Sequence, residues 1–299
     1  MIVALELGLI YGIMALGVYL TFRILNFPDL TLDGSFTAGA ATTAMLIVQG
    51  IPPLIATLGG FVTGALAGWV TGMLHTKGGI NGILAGILTQ IGLYSINLRI
   101  MGGSNLSLIR EETLVSPFRD VGLIGTWVTI LVFAGVVLAI KFVLDWFLNT
   151  NNGLAIRATG DKEGMIRSFG VNTDRSKILL LSISNGLIGV CGGLVAQYQG
   201  FADIGMGIGL ILVGVASVIV GQAILSGSNV VVATLAVIVG SVIYRIVIAL
   251  ALSVGFNPND MKLISAVLVI LALTLPRWGF LKRMPKLSQM LPALSGRNR

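Results

Sequence analysis

The sequence predicts an all-α fold, a polytopic bundle of transmembrane helices, from its length, hydrophobicity and low charge. The chain has 299 residues, of which 55% are hydrophobic and only 10% are charged, and its mean hydropathy is +0.96. A soluble domain carries about 25% charged residues. Because so few polar side chains cannot cover a water-facing surface, lipid must surround most of the chain. We therefore expect one membrane domain over residues 1–299.

Nine stretches of the chain are candidates for membrane spans, since a helix needs about 20 apolar residues to cross a bilayer. The second and ninth stretches are short, so either could be tilted, broken or partly buried in protein. In order, the nine lie at residues 2–22, 35–50, 54–74, 81–97, 126–148, 178–198, 206–225, 229–252 and 263–276.

The net charge is +7, and the basic residues that produce it lie at the ends of these spans. Nucleic acid is one possible partner of a basic chain, but the positive-inside rule explains this placement better. The segment 149–177 and the tail 277–299 hold most of the Lys and Arg and are predicted to be cytoplasmic. The loop 98–125 is nearly charge-balanced and is predicted to lie outside. In a strict count of nine spans, the N-terminus also lies outside.

Glycine is abundant, with 40 residues, and it is regularly spaced in the third span. Gly60, Gly64, Gly68 and Gly72 recur every four residues and form one smooth ridge on a helix, which predicts close helix packing. A role for some glycines as hinges or path lining is the alternative. The lone His75 has no companion ligand, so we expect no metal site.

The segment 23–35 interrupts two apolar spans with polar residues. Pro28 removes a backbone donor and breaks a helix, and irregular backbone at membrane depth requires cover by protein or a water-filled cavity. One interpretation is a broken helix beside a translocation path; the other is a solvated turn with Asp33 as a helix N-cap. The candidate path residues in this segment are Asn26, Phe27, Asp29, Thr31, Asp33 and Ser35.

The loop 149–177 contains a predicted short amphipathic helix over residues 161–169. Asp161 can cap its N-terminus, and Gly170 can end it in the left-handed conformation. Such a helix needs a partner surface, either lipid headgroups or another protein. The residues assigned to this contact are Asp161, Lys162, Glu163, Gly164, Met165, Ile166, Arg167, Phe169 and Gly170.

Arg245 lies in the middle of the eighth span. A charge at that depth is expensive, so it is a candidate for the transport path, although a structural intramembrane pair would also explain it. Glu6 in the first span has the same two explanations. No catalytic constellation and no phosphate-binding GxxxxGK[ST] loop occurs in the sequence. We therefore expect neither enzymatic activity nor a cofactor in this chain.

Two motifs resemble the permease subunits of ABC importers of the branched-chain amino-acid and ribose type. The first motif combines Gly8-Leu9-Ile10-Tyr11-Gly12 with the run from Asn26-Phe27-Pro28-Asp29 to Phe36. The second is Gly153-Leu154-Ala155-Ile156-Arg157-Ala158-Thr159-Gly160-Asp161, which leads to Phe169-Gly170-Val171-Asn172. The first motif is closest to a subgroup associated with amino acids, including aromatic ones such as tryptophan.

The resemblance implies a bacterial inner-membrane permease that works by alternating access. Two copies would form the channel, an extracytoplasmic binding protein would deliver the substrate, and two ABC ATPase subunits, which bind ATP and Mg, would dock below. Residues 161–169 would be the coupling helix that enters a groove on the ATPase. The competing classes are an ion-coupled secondary transporter, which usually carries buried acids and inverted repeats, and a membrane scaffold without transport.

Overall fold

The computed structural model describes residues 2–225, 229–254 and 261–274. The basic tail 277–299 lies outside these residues. The described elements are almost entirely helical, with a π-helical turn Leu20–Ile24 that continues the first helix and a two-stranded sheet. In order they are α1 Ile2–Tyr19, α2 Leu32–Val48, α3 Pro53–Thr76, α4 Gly82–Met101, β1 Asn105–Ser107, α5 Ser116–Asp120, α6 Trp127–Leu148, α7 Asn151–Ser168, α8 Thr173–Gln199, β2 Phe201–Asp203, α9 Leu210–Ile224, α10 Val230–Ser253 and α11 Met261–Thr274.

The polytopic helical bundle predicted from the sequence is confirmed. Among the described residues, six helices are long and apolar enough to cross a membrane, namely α1 with its π-helical turn, α3, α4, α6, α8 and α10. The apolar helices α2 and α9 are shorter, at 17 and 15 residues. Large apolar side chains point outward from the crossing helices, for example Leu66, Ile91 and Leu131. These surfaces suit contact with lipid.

Helices α2, α3 and α8 pack together through glycine, and we call these three helices the frame. A Cβ atom on Gly64 of α3 would collide with the carbonyl oxygen of Asn185 on α8. A Cβ atom on Gly39 of α2 would collide with the backbone of Gly189, also on α8. The predicted glycine ridge is therefore a packing surface, because only glycine lets the backbones approach this closely.

Helices α1, α9 and α10 form the other side of the bundle. The hydroxyl of Ser241 on α10 donates a hydrogen bond to the carbonyl of Gly8 on α1. Helix α6 joins them through Asp145, which pairs with Lys141 one turn earlier and accepts a 2.7 Å hydrogen bond from Thr234 on α10. Both members of the ion pair are buried, so each charge has the partner that burial demands.

The segment predicted to be cytoplasmic and the loop predicted to be outside lie at opposite ends of the bundle. At one end, the buried Glu6 accepts hydrogen bonds from the N–H of Gly125 and the hydroxyl of Tyr198, and β1 pairs antiparallel with β2. At the other end, the π-helical turn contacts α7. We call these the outer and inner ends, following the charge distribution. The loop 98–125 and the segment 149–177 are thus at opposite ends.

The seventh predicted span, residues 206–225, starts later than the sequence indicated. Helix α9 begins at Leu210, after Gly209 in the left-handed conformation at φ +86°. The preceding Gly207 lies so close to the carbonyl of Asp33 that a Cβ atom would not fit. The chain therefore turns back from β2 into the bundle before the helix starts, which shortens α9 at its N-terminal end.

Candidate functional site

Residues 25–31, which we call the connector, join the π-helical turn to α2 inside the bundle. Asp29 is only 2% exposed and Thr31 is fully buried, so the solvated turn considered from the sequence is wrong. Asn26 and Pro28 are exposed by contrast. The connector is therefore irregular backbone covered by protein on one side, as the broken-helix interpretation requires.

Asp29 fastens the connector to the frame. Its carboxylate accepts hydrogen bonds from the N–H of Thr31, two residues later, at 2.9 Å and from the side chain of Asn185 on α8 at 2.7 Å. Asn185 in turn accepts a 2.7 Å hydrogen bond from Ser35. The hydroxyl of Thr31 lies 2.7 Å from that of Thr71 on α3. Three predicted path residues, Asp29, Thr31 and Ser35, therefore anchor the connector and do not line the described cavities.

Asn26 joins the connector to α7. It is the one non-glycine residue with positive φ, at +52°, among the described residues, and its amide donates a 3.2 Å hydrogen bond to the carbonyl of Gly160. Gly160 itself packs against the carbonyl of Ile24, where a Cβ atom would collide. The next residue, Phe27, packs edge-on against the ring of His75, with the ring centroids 5.1 Å apart.

Asn26 also lines an inner cavity of about 660 Å³. Its volume falls within the range of small-molecule sites. Charges of both signs surround it, since its polar lining residues are Tyr19, Arg23, Asn26, Arg157, Asp161, Gln222 and Asn229. Asp161, which the sequence assigned to the docking helix, therefore faces this cavity.

Asp33 caps a different helix from the one expected. Helix α2 begins at Leu32, so Asp33 lies inside its first turn. Its two carboxylate oxygens accept hydrogen bonds from the N–H groups of Gly209 at 2.8 Å and Ile211 at 3.0 Å, at the start of α9. A negative charge at a helix N-terminus is favourable because it satisfies free N–H donors and opposes the helix dipole. A single side chain of α2 thus holds the inserted end of α9.

Helix α7 consists of two helices separated by a kink. The first begins at Asn151, where Thr150 caps it, and the break lies at Lys162, whose backbone is non-helical at φ −150° and ψ 84°. The second helix follows this break and ends at Ser168, so it corresponds to the short helix predicted over residues 161–169, and the first helix is an addition that the sequence analysis did not identify. The predicted left-handed Gly170, at φ +83°, is confirmed. The kink divides α7 into a part that packs on the connector and a part that projects beyond it.

Ion pairs hold the projecting part of α7 against the start of α8. Glu163 accepts hydrogen bonds from Lys177 at 2.7 Å and from Arg167 at 3.1 Å, and Arg167 also pairs with Asp174 at 3.2 Å. The hydrogen bond from Lys177 is the main cause that lowers the pKa of Glu163 below its ordinary value. On this fixed segment Met165 is 52% and Phe169 is 74% exposed.

Arg245 lies against an aromatic ring that the sequence did not assign to it. Its guanidinium carbon is 3.7 Å from the centroid of the Tyr11 ring, a cation–π contact between α10 and α1. The sequence also missed the buried pair Lys141 and Asp145. Opposite charges four residues apart in an otherwise apolar helix were the available signal for that pair.

A bundle of membrane-spanning helices with irregular backbone and polar cavities between the helices is typical of membrane permeases. Residues 1–274 match the family described as the permease component of the branched-chain amino acid transport system. The chain belongs to this family, the membrane subunits of ABC transporters, and it is a multi-pass protein of the bacterial inner membrane.

Curated relatives from several organisms support this assignment. The chain is 43% identical to the tyrosine transport system permease protein of Clostridioides difficile, over 88% of this chain and 86% of the relative. It is 25% identical to the probable branched-chain amino acid transport permease LivH of Methanocaldococcus jannaschii, over 65% and 66% of the two chains. It is 24% identical to the ribose import permease RbsC of Escherichia coli K12, over 62% and 56%.

A solved structure has a similar fold. A chain in the structure of PsaBC from Streptococcus pneumoniae in complex with Fab superimposes with a TM-score of 0.54 over 93% of both chains, at 17% identity. At this identity the likeness concerns the fold alone.

Proposed function

We propose that this chain forms the translocation path of an ATP-driven amino-acid importer and works with a partner ATPase, a second permease copy and an extracytoplasmic binding protein. ATP and Mg would bind to the ATPase. The observation that carries the proposal is the projecting part of α7, which presents two exposed apolar side chains, Met165 and Phe169, on a helix fixed by ion pairs. An apolar face held rigidly beyond the bundle suits insertion into a groove on another protein.

The contacts of α7 provide a route from that docking surface into the membrane. The first part of α7 bonds to the connector through Gly160 and Asn26. The connector leads directly into α2, and α2 holds the N-terminus of α9 through Asp33. A displacement of α7 by the ATPase would therefore reach α9 through backbone and hydrogen bonds. This route would convert ATP-driven closure into alternating access.

The substrate proposed is an amino acid. A zwitterion needs groups of both charge signs, and the inner cavity offers Arg23, Arg157 and Asp161 together. The relative that is 43% identical is named for tyrosine transport, which agrees with this chemistry.

Replacement of Met165 by glutamate tests the docking surface. The charge would enter an apolar contact, so we expect loss of both ATPase association and ATP-driven uptake, with normal insertion and folding. The matched control is Lys77→Gln, which changes the net charge equally at another exposed position near the inner end and should leave association unchanged.

The measurement is co-purification of the ATPase with each tagged variant, followed by uptake of labelled L-tyrosine into proteoliposomes. Unchanged ATPase association and transport in Met165→Glu would overturn the assignment of the docking helix. Uptake by the wild-type chain that requires a sodium or proton gradient and no ATP would overturn the importer as a class.

A further inference from the structure

Arg245 is a cation within the apolar part of the bundle, and its immediate surroundings do not neutralise it. It lies on α10 opposite Gly8 of α1, in the outer half of the bundle. Within the described part of the chain, no carboxylate is within ion-pair distance of its guanidinium. A charge at this depth usually faces a partner or a pathway, because desolvation is expensive.

The stack on Tyr11 engages the face of the guanidinium. The N–H groups of arginine lie in the plane of the group, so the π face of a ring does not accept a hydrogen bond from them. In the described structure, the Nε atom of Arg245 is buried and has no hydrogen-bond acceptor. An unpaired buried donor is unfavourable because its hydration is lost and not replaced, and an acceptor that arrives only with a ligand would remove this cost.

Three described carboxylates of the transmembrane bundle and its outer end already accept hydrogen bonds. Both oxygens of Glu6 accept hydrogen bonds, one from Gly125 and one from Tyr198. Asp33 accepts two N–H groups of α9, and Asp203 accepts the N–H of Gly205. None of the three forms an ion pair with Arg245 in the described part of the chain.

Tyr11 connects Arg245 to an outer cavity of about 500 Å³. The ring that stacks on the guanidinium also lines this cavity, together with Gln199, Phe201, Asp203, Met206 and Ile208. The cavity thus combines aromatic surface with polar groups, and its Tyr11 ring stacks on a cation whose Nε donor is unfilled.

We propose that Arg245 and Tyr11 form a carboxylate-recognition site at the outer cavity. The guanidinium edge would donate two parallel hydrogen bonds to the carboxylate of the substrate, an arrangement that arginine favours, while Tyr11 holds the guanidinium plane. The substrate class is an α-amino acid, preferably one with an aromatic side chain that packs on the rings of the cavity. This inference deepens the proposed function and rests on it.

Photolabelling of the purified chain tests the site without the ATPase. Proteoliposomes are irradiated with p-azido-L-phenylalanine or with p-azidophenethylamine, which lacks the carboxylate, and label on the peptide that contains Tyr11 is quantified by mass spectrometry. We expect the amino acid to label the wild-type chain about tenfold more strongly than the amine, the ratio that one charge-assisted hydrogen bond produces.

Three variants sharpen the result. Arg245→Gln should lose the preference for the amino acid, whereas Arg245→Lys, which keeps the charge but not the planar fork, should keep part of it. Arg110→Gln removes an exposed arginine near the outer end and should label like the wild-type chain. If Arg245→Gln does not fold, the amine comparison on the wild-type chain and the lysine variant decide the question.

Equal labelling by the amine, or an unchanged preference in Arg245→Gln, would overturn the site and assign the stack on Tyr11 a purely structural role. Absence of label near Tyr11 in the wild-type chain would also overturn it. These failures are distinct from failure of the proposed function, which would appear as absent ATPase association or absent ATP-driven uptake by the wild-type complex.

Discussion

Helix α9 is attached to the frame in a different way from that in which the frame helices hold one another. In the frame, α2, α3 and α8 meet backbone to backbone at glycines such as Gly39 and Gly189, so that none of the three can shift relative to the others without a clash. Helix α9 meets the frame through two hydrogen bonds from its N-terminus to the carboxylate of Asp33, and its own backbone-to-backbone glycine contacts, at Gly221 and Gly240, are with α10. Packed interfaces resist small displacements, whereas two hydrogen bonds can exchange with water or with other donors.

This contrast separates a rigid body from an element able to move within one chain. The connector lies at the junction of the two, because Asp29 and Thr31 bind the frame while Asn26 binds α7. The polar cavities lie beside the α9 side of the bundle, where Gln222 and Ile208 contribute to their walls. We therefore infer that the frame supports the path while α9 and its neighbours change it.

The largest expected effect is in the frame. Gly64→Val would drive a side chain into the carbonyl of Asn185, and we expect a loss of about 3 kcal/mol or more, with little folded protein. Gly92→Val is the matched control, since no atom lies within 4 Å of a Cβ atom on Gly92 of α4. The yield of monodisperse protein in detergent and its thermal unfolding measure the difference. Equal stability of the two variants would contradict a rigid glycine-packed frame.

A smaller effect is expected at the junction. Asn26→Gly keeps the left-handed backbone but removes the hydrogen bond to Gly160, so we expect a normal fold and weaker coupling. A hydrogen bond contributes about 1 kcal/mol, which corresponds to a roughly fivefold lower ratio of substrate transported to ATP hydrolysed.

Asn26→Ala separates the two roles of this residue. Alanine should lose the same coupling and, in addition, about 1–2 kcal/mol of stability, because its Cβ disfavours positive φ. Paired measurements of uptake and ATP hydrolysis in proteoliposomes give the ratio. An unchanged ratio in both variants would remove Asn26 from the route between α7 and α9.

The smallest effect is expected at Glu163, whose ion pairs are partly exposed. Glu163→Gln should cost less than about 1 kcal/mol after solvent screening and should increase hydrogen exchange only in the projecting part of α7. The pKa of Glu163 is lowered in the fold, from an ordinary 4.5. The stabilisation is therefore fully present above that ordinary value and is lost as pH falls through the lower folded pKa.

The lowered pKa of Glu163 also determines how hydrogen exchange in the projecting part of α7 depends on pH. Exchange protection of residues 163–168, corrected for the intrinsic rate, should be constant between about pH 6 and 8, since the carboxylate stays ionised there. A decrease in protection as pH falls within that range would show that the Lys177 and Arg167 pairs do not hold the segment.

The sequence predicted the bundle well because hydropathy and glycine spacing are local signals. The ridge of Gly60, Gly64, Gly68 and Gly72 lies on the predicted surface of α3, and the left-handed Gly170 ends its helix as expected. The segment 149–177 also lies at the end opposite to 98–125. Each of these features depends on residues close together in the chain.

The details of the site depended on partners far away in the chain. The sequence suggested Asp33 as a cap, but the helix that it caps starts 177 positions later, at Leu210. Tyr11 gave no indication that it would stack on Arg245. The kink at Lys162 is a backbone feature without a proline or glycine at that position. No local pattern specifies such pairings, so they required the fold.

We infer that α9 moves relative to the frame when the proposed partner ATPase binds ATP. The most direct test is a pair of spin-label distances in the reconstituted complex, in a Cys191→Ala background. The spin labels are attached to cysteines introduced at exposed positions. One label replaces Leu66 of α3 in both pairs, and the second replaces either Leu179 of α8 or Ile224 of α9. Excess unlabelled chain ensures one labelled copy per complex.

On addition of ATP, we expect the Leu66–Leu179 distance to stay constant while the Leu66–Ile224 distance changes by more than about 2 Å, and we expect Asp33→Ala to abolish the second change. Equal changes in both distances, or a change in the second distance that persists without the Asp33 carboxylate, would show that α9 does not move against the frame through Asp33.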